Sequence, residues 1–270
     1  MSDNNCKICN SPTQYAFNAK VLDKYSVGYY QCTICDFVQT ENIYWLHEAY
    51  ANPMNYSDTG IMLRNERSAK IATSLICLFF NKNVRILDYA GGYGVFTRMM
   101  RDIGFDCYWA DPYTKNILAR GFDSENTFKY GLVTTFESFE HFENPMYEIQ
   151  KILKISKNII FSTQLIPSPL PDVKNWWYYG TEHGQHIALY SKKTFDIIAK
   201  NFNVYYYNID DFHVLSEKKI NFIGRTFLKL RYSKQILYML YYIFFSFIRP
   251  KTLADMYKLR VKYTEKVTNP

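Results

Sequence analysis

Several things are scarce in this sequence of 270 residues. With 11 glycines and 9 prolines, collagen-like and low-complexity character are excluded. Charged residues make up 21% against 48% hydrophobic, which excludes global disorder because such a chain can bury a core. Met1 to Asn10 is polar and holds no apolar run, so no secretory signal is expected. The charge-free apolar stretch Ile236 to Ile248 has 13 residues, short of the roughly 20 that a membrane-spanning helix needs. Acid is nearly missing from one region. Between Lys218 and Lys262 stand eleven Lys or Arg and one acid, Asp255, a net +10 in a chain of net +7, so the rest carries −3. Polyanion binding can therefore be argued for that segment alone.

Cysteine is present in a pattern. Cys6, Cys9, Cys32 and Cys35 form two C-x2-C pairs, a spacing that suits tetrahedral zinc held by four thiolates. The spacer carries the aromatic-rich runs Tyr15-Ala-Phe17 and Val27-Gly-Tyr-Tyr30, candidate strands of a ribbon. The rival reading is two disulfides, disfavoured where the compartment is reducing. A closed four-Cys site is expected to be structural, since catalytic zinc keeps a position open. Cys77 and Cys107 lie in apolar surroundings and read as small buried hydrophobes.

Helix is expected over 43–50 and about 59–80, with Asn52-Pro53 as a break. From Val84 the pattern alternates. Val84 to Ala90 reads as a strand, Val95 to Ile103 as a helix capped by Gly104, and Phe105 to Ala110 as a second strand. Further strands are expected at Tyr130 to Phe136 and Asn158 to Thr163, around a helix from Pro145 to Lys154. Strands alternating with helices predict an α/β, doubly wound, mostly parallel sheet.

In such sheets ligands sit beyond the carboxyl ends of the strands. Asp88-Tyr-Ala90-Gly91-Gly92-Tyr-Gly94 lies there, before a helix N-terminus that presents unpaired N–H groups. Asp111, 19 residues after Gly92, ends the second strand, where an acid can accept both ribose hydroxyls. This order supports an adenosine-containing cofactor. It is not G-x-G-x-x-G, and the Lys-Ser/Thr of a phosphate loop is missing.

The run Asp88 to Gly94 resembles the first motif of class I S-adenosylmethionine-dependent methyltransferases, D-x-G-x-G-x-G, with Ala90 where that family has glycine. The resemblance continues through Phe136-Glu-Ser-Phe-Glu-His-Phe-Glu-Asn-Pro145, similar to an "fE-x-x-EH-x-x-nP" signature, and His186-Ile-Ala-Leu-Tyr-Ser191. It covers about residues 56 to 210. It implies a Rossmann-like fold preceded by a small zinc ribbon and followed by a helical C-terminal segment. It also implies S-adenosyl-L-methionine as cofactor, with Asp88, Ala90, Gly91, Gly92, Gly94, Asp111, Pro112, Phe136 and Glu137 beside it. Tyr56 and Arg64 are assigned to its amino-acid end. Between Asp111 and Tyr130 there is little room for a third strand, and Phe122 and Asp123 are assigned to the adenine. The four-Cys module resembles that of sugar methyltransferases in surface-polysaccharide (capsule) and natural-product pathways. Their Tyr, Glu and His cluster is echoed by Tyr179-Gly-Thr-Glu182-His183, but the Tyr-to-Glu spacing departs and the further domain of the C-methylating members has no counterpart. O-methylation is the expectation.

Transfer from a sulfonium is an in-line displacement, so the protein must align the acceptor and remove its proton. Trp176-Trp-Tyr-Tyr-Gly-Thr-Glu-His-Gly-Gln-His186 follows a Pro-rich loop and combines two histidines, a glutamate and aromatic rings suited to sugar faces. His183 is the first choice for general base, with Glu182 orienting or charging it, His186 the rival and Tyr179 beside them; the bland reading makes His186 a structural histidine. A His-x2-His metal site has no evident third ligand, and His141 reads as an anchor of a helix start.

Three segments result: a zinc ribbon over 1–40, a cofactor-binding methyltransferase domain over 41–215, and a basic, apolar helical segment over 216–270. For the last, packing on the domain or a homodimer is preferred over peripheral contact with anionic lipid. The expected acceptor is a carbohydrate, nucleotide-sugar or related small phosphorylated molecule, in the cytoplasm, with peripheral attachment to the inner membrane face as a variant. The alternative is a zinc-ribbon protein that binds or modifies nucleic acid through its basic segment, and it predicts strongly salt-dependent binding.

Overall fold

The computed structural model describes residues 5–51 and 58–268. In chain order the first elements are β1 (Thr13–Val21), β2 (Tyr25–Cys32), β3 (Val38–Thr40), α1 (Leu46–Ala49), α2 (Ile61–Phe79), β4 (Arg85–Tyr89), α3 (Val95–Ile103) and β5 (Asp106–Ala110). Then follow β6 (Leu132–Phe136), α4 (Pro145–Ile155), β7 (Ile159–Ser162), β8 (Ala188–Leu189), α5 (Lys192–Phe202), β9 (Tyr205–Ile209) and β10 (Phe212–Ser216). The chain closes with α6 (Phe222–Leu228), α7 (Ser233–Phe245) and α8 (Thr252–Thr268). The strands include a mixed, mostly parallel sheet with helices, as expected of a Rossmann-like fold. Among the described residues, 111–131 adds no strand, only the isolated bridge from Trp109 to Asp123. The compressed region is therefore as short in structure as in sequence.

The chain forms two compact units, Met1–Asp58 with Phe136–Lys219, and Thr59–Thr135 with Ile220–Pro270. In the second, β4 pairs in parallel with both β5 and β6. Ile86 and Leu87 are buried on β4, and α3 turns Phe96, Met100 and Ile103 inward at helical spacing. The C-terminal helices belong to this unit. Helix α7 packs on α2, where the Ser74 hydroxyl donates to the Leu237 carbonyl (2.7 Å). Helix α8 is held by the one acid between Lys218 and Lys262. Buried Asp255 accepts two hydrogen bonds from Arg101, each 2.7 Å, and one from Arg98 at 2.9 Å. This two-pronged arginine–carboxylate pair is among the stronger polar contacts available to a fold.

In the first unit, β1, β2, β3 and β8 form an antiparallel sheet. The ribbon is thus completed by two residues from the second half of the chain. The segments 1–40, 41–215 and 216–270 describe order along the chain, and the compact units cut across them. Strand β10 lies antiparallel between β7 and β9. Helix α4 starts on Pro145, whose missing N–H costs nothing at a first turn. Helix α5 starts from Ser191 with a reciprocal cap to Thr194. Both of those hydroxyls also donate to the Cys35 carbonyl, at 2.9 and 2.8 Å, which ties the cysteine knuckle to the helix start.

Candidate active site and cysteine centre

The glycine turn is built from backbone. Ala90, Gly92 and Gly94 all take positive φ, +57°, +53° and +83°. At Ala90 this is the left-handed region that costs an L side chain about 1–2 kcal/mol, which gives the physical reason for glycine there in relatives of this motif. A Cβ on Gly91 would stand 2.6 Å from the Asp88 carboxylate and 2.8 Å from the Trp109 ring. On Gly92 it would meet nothing within 4 Å. The turn therefore faces protein on one side and open space on the other. Its carbonyl at Gly92 accepts from Trp109 Nε1 (2.8 Å) and the Thr114 hydroxyl (2.7 Å). Asp111 accepts from the N–H groups of Gly92 (3.0 Å), Tyr113 (2.8 Å) and Thr114 (2.9 Å). A carboxylate has about four lone-pair sites, so with three N–H donors in place acceptor capacity remains for one hydroxyl. Gly94 is the N-cap of α3, and no side chain caps that end.

Asp88 is buried under this turn, accepts from the Thr97 hydroxyl at 2.8 Å, and is pushed up to about 7 chiefly by burial. It shapes the turn from beneath. Phe122, assigned to the adenine, is buried as well. Its ring is 0% exposed and lies 3.7 Å from the Arg101 guanidinium. Asp123 is the open member of that pair. It accepts from the Asn116 amide (3.0 Å) and the Gly121 N–H (3.3 Å). Pro112 follows Asp111 in the same bend. Phe136 meets Phe212 edge-on, and Glu137, at φ +50°, accepts from the Ser162 hydroxyl at 2.5 Å. Tyr56 lies outside the described residues, and Arg64 is half-buried on α2.

All five histidines lie in the first unit, and three of them cluster. The His183 and His186 rings are 4.7 Å apart, and His186 and His141 are 5.1 Å apart. His186 Nδ1 donates to the Tyr178 carbonyl at 2.6 Å, so in the neutral ring the lone pair is on Nε2. His183 is the reverse. Its Nδ1 accepts the Gln185 N–H at 3.1 Å, so its neutral ring carries the proton on Nε2. A base must present a lone pair, and this arrangement favours His186 over His183. Gly180 permits it, because a side chain at its φ of +58° would run into the His183 ring.

Glu140 completes the group. It is 0% exposed, one carboxylate oxygen accepts from the Tyr178 hydroxyl at 2.6 Å, and Oε2 has no hydrogen-bond partner. Burial, then the nearby Glu137 charge, pushes it up to about 8. Burial, then His183, holds His141 down at about 4. His186 is held well below its ordinary value by burial and then by the other two rings, and His183 is lowered by burial. At neutral pH this is a set of uncharged groups.

Tyr179 does not join it. Its ring is 1% exposed, meets Phe17, Tyr29 and Trp176 edge-on, and its hydroxyl donates to the Pro171 carbonyl at 3.0 Å. The neighbouring Tyr178 holds the place expected of it. Glu182 is exposed and acts on His183 only through its charge.

None of the six cysteines forms a disulfide. Cys6 and Cys35 sulfurs lie 3.5 Å apart and Cys9 and Cys32 sulfurs 3.4 Å apart, beyond a disulfide bond. All four sulfurs fall within 4.8 Å of one another. The N–H groups of Ile8, Ile34 and Cys35 point at sulfur, each at 3.4 Å, as in a knuckle.

A family model described as a methyltransferase domain matches residues 63–207, more than half of the chain. The chain belongs to that family. It is an S-adenosylmethionine-dependent methyltransferase. No curated protein matches it. Among solved structures it is similar to a plantazolicin methyltransferase bound to S-adenosylhomocysteine, at 15% identity and TM-score 0.44 over 59% of this chain and 76% of that one. A magnesium protoporphyrin IX methyltransferase from Synechocystis gives 12% identity and TM-score 0.44 over 63% and 90%. A mitomycin 7-O-methyltransferase gives 11% and 0.42 over 63% and 59%.

The methyltransferase's turn fits its cofactor. The open side of Gly92 leaves room for a ligand against the backbone, and Asp111 stands fixed with acceptor capacity to spare. Sequence reasoning missed Glu140 and Tyr178 as members of the histidine group. The Glu140-His141 pair was visible in its motif, but Tyr178 and Tyr179 are adjacent rings of one short turn, and only packing says which faces inward.

Proposed function

We propose that the methyltransferase O-methylates a carbohydrate, nucleotide-sugar or related small phosphorylated acceptor. The observation that carries the reading is the pairing, within one unit, of a neutral histidine having a free Nε2 lone pair, His186, with a Trp177 ring that is 72% exposed. A hydroxyl is a poor nucleophile and needs its proton removed in the transition state, a task a neutral imidazole performs. Exposed indole faces suit the apolar faces of sugar rings. His183, with its proton on Nε2, donates to and orients the acceptor oxygen. S-adenosylmethionine supplies a methyl group already activated as a sulfonium. On the protein's side, Asp111 takes a ribose hydroxyl and Asp123 lies toward the adenine. Cys6, Cys9, Cys32 and Cys35 hold a structural zinc that braces the ribbon and, through the Cys35 carbonyl, the start of α5. The site is cytoplasmic. Met239, Tyr242 and Ile243, exposed on α7 between Lys234 and Arg249, suit a peripheral contact with an anionic inner membrane face.

The test is methyl transfer to a panel of nucleotide sugars, sugar phosphates, free sugars and RNA. The expected result is cofactor-induced thermal stabilisation together with transfer to a hydroxyl of a sugar-containing acceptor. Transfer to RNA alone, with steep salt dependence, overturns it.

A further inference from the structure

We infer that Glu140, His141 and His186 form a divalent-cation site with one coordination position left open. Glu140 brings a carboxylate oxygen, and each histidine a ring nitrogen, to within 4.8 Å of one another. Among the described residues the four cysteines are the other group with this property.

Each ligand is already oriented from behind. His186 Nδ1 donates to the Tyr178 carbonyl at 2.6 Å. His141 Nδ1 lies 3.1 Å from the Gln185 carbonyl and 3.0 Å from the Tyr50 hydroxyl. Glu140 accepts from the Tyr178 hydroxyl at 2.6 Å. Metal-binding imidazoles and carboxylates are held by such outer partners, which fix the tautomer and leave the second atom for the ion. With Nδ1 of both rings spent, the lone pair each can offer is on Nε2.

The remaining oxygen is the independent observation. Glu140 Oε2 is buried and has no hydrogen-bond partner, a state that costs a fold free energy unless something pairs with it. A cation pairs with it. Two nitrogens and one oxygen are the donors of catalytic zinc and of open iron and manganese sites, whereas the four thiolates make a closed one. An ion bound at about 2.1 Å to each ligand in tetrahedral geometry holds them about 3.4 Å apart, so the side chains close in by about an ångström on binding. The fourth position takes water or an acceptor oxygen, whose proton the ion would make easier to remove. That last step rests on the hydroxyl-acceptor reading; the cation site does not. With the ion bound, His186 is a ligand in place of a base.

The experiment uses the purified full chain, stripped by a chelator too weak to remove zinc from four thiolates and then dialysed against Mn2+, which prefers nitrogen and oxygen to thiolate. Bound manganese is read by electron paramagnetic resonance and zinc by elemental analysis of the same samples. The expected result is one manganese bound per chain in the parent and in Glu182→Gln, and its loss in Glu140→Gln and His186→Ala. Unchanged zinc in both variants shows that the cysteine module and the fold persist. Manganese that fails to bind the parent, or that binds the variants equally, overturns the site. A chain that binds manganese but methylates no hydroxyl keeps the cation site and ends the O-methylation reading. A chain that binds no manganese yet methylates a hydroxyl ends the cation site and keeps the O-methylation reading.

Discussion

Each unit of the molecule hides a carboxyl group whose pKa burial raises, Asp88 in one and Glu140 in the other, and the two are treated differently. Asp88 sits under the glycine turn with Thr97 and Thr134 hydroxyls on its two oxygens, at 2.8 and 3.5 Å. Glu140 sits among histidines with Tyr178 on one oxygen and nothing on the other. Both are pushed up, to about 7 and about 8, by the same cause, burial. The difference is satisfaction. A buried acid with both oxygens engaged holds a backbone shape, whereas one left with a bare oxygen is prepared for something that arrives. The cofactor turn is thus a rigid cradle made of main chain, and the histidine group is a set of side chains held ready.

The largest effect that tests this contrast is on turnover. His186→Ala is expected to lower kcat by about 100- to 10,000-fold, the range for removing a proton-transfer group, with cofactor affinity unchanged. His183→Ala, which removes an N–H donor, is expected to lower it by about tenfold. Single-turnover methyl transfer and cofactor titration measure the two quantities separately. Equal losses in both variants would return His183 to the role of base.

The cradle was legible because it is local. Strand, turn and helix follow one another from Arg85 to Ile103, so seven consecutive residues carry the motif. The cysteine pairs were legible for the same reason. The histidine group was not, because Glu140 and His141 stand more than 40 residues from His186 and meet it only through the fold. Which nitrogen of which histidine holds the proton is decided by one main-chain carbonyl at Tyr178 and one N–H at Gln185, and neither leaves a trace in residue type. Two-residue β8 carries no period that a sequence could show, yet it completes the ribbon sheet. The contact of the Phe122 ring with Arg101, which is tied to Asp255 more than 130 residues away, leaves no mark in the local sequence either.

A second effect, on stability, separates the two regions by pH. Glu140 keeps its proton in the folded chain up to about 8, while the unfolded chain loses it near the ordinary value of 4.5. Folding stability therefore falls as pH rises across that window, and the contribution is fully lost above it. His141 and His213, both held down at about 4, act oppositely: the unfolded chain gains their protons first, so stability falls as pH drops from 6.5 to 4. In chelator-treated protein, Glu140→Gln is expected to remove about half of the alkaline loss, on the order of a few kcal/mol, and to leave the acid limb untouched. Asp88 has the same sign and stays in place, so some alkaline slope persists. Denaturant melts at pH 5, 6.5 and 8 measure this; parallel curves for parent and variant would show that Glu140 is ionised in the metal-free fold.

The smallest effects come from two residues of the cradle that take the same backbone conformation with opposite chemistry. Ala90 at φ +57° carries a side chain where glycine is easier, and Ala90→Gly is expected to stabilise the chain by about 1 kcal/mol. Gly92 at φ +53° has no side chain, and Gly92→Ala is expected to destabilise it by a similar amount, about 1 kcal/mol. On strain alone the two variants are mirror images. They part company at the cofactor, because the space beside Gly92 is open in the free protein and is where a ligand would lie against the backbone. Gly92→Ala should therefore weaken S-adenosylmethionine binding by about tenfold, beyond its effect on the fold, while Ala90→Gly leaves affinity unchanged. Thermal melts give the first pair of numbers and calorimetric titration the second. If both variants bind the cofactor alike, the open side of the turn is not the cofactor's side, and the main-chain cradle would have to be sought at the uncapped start of α3.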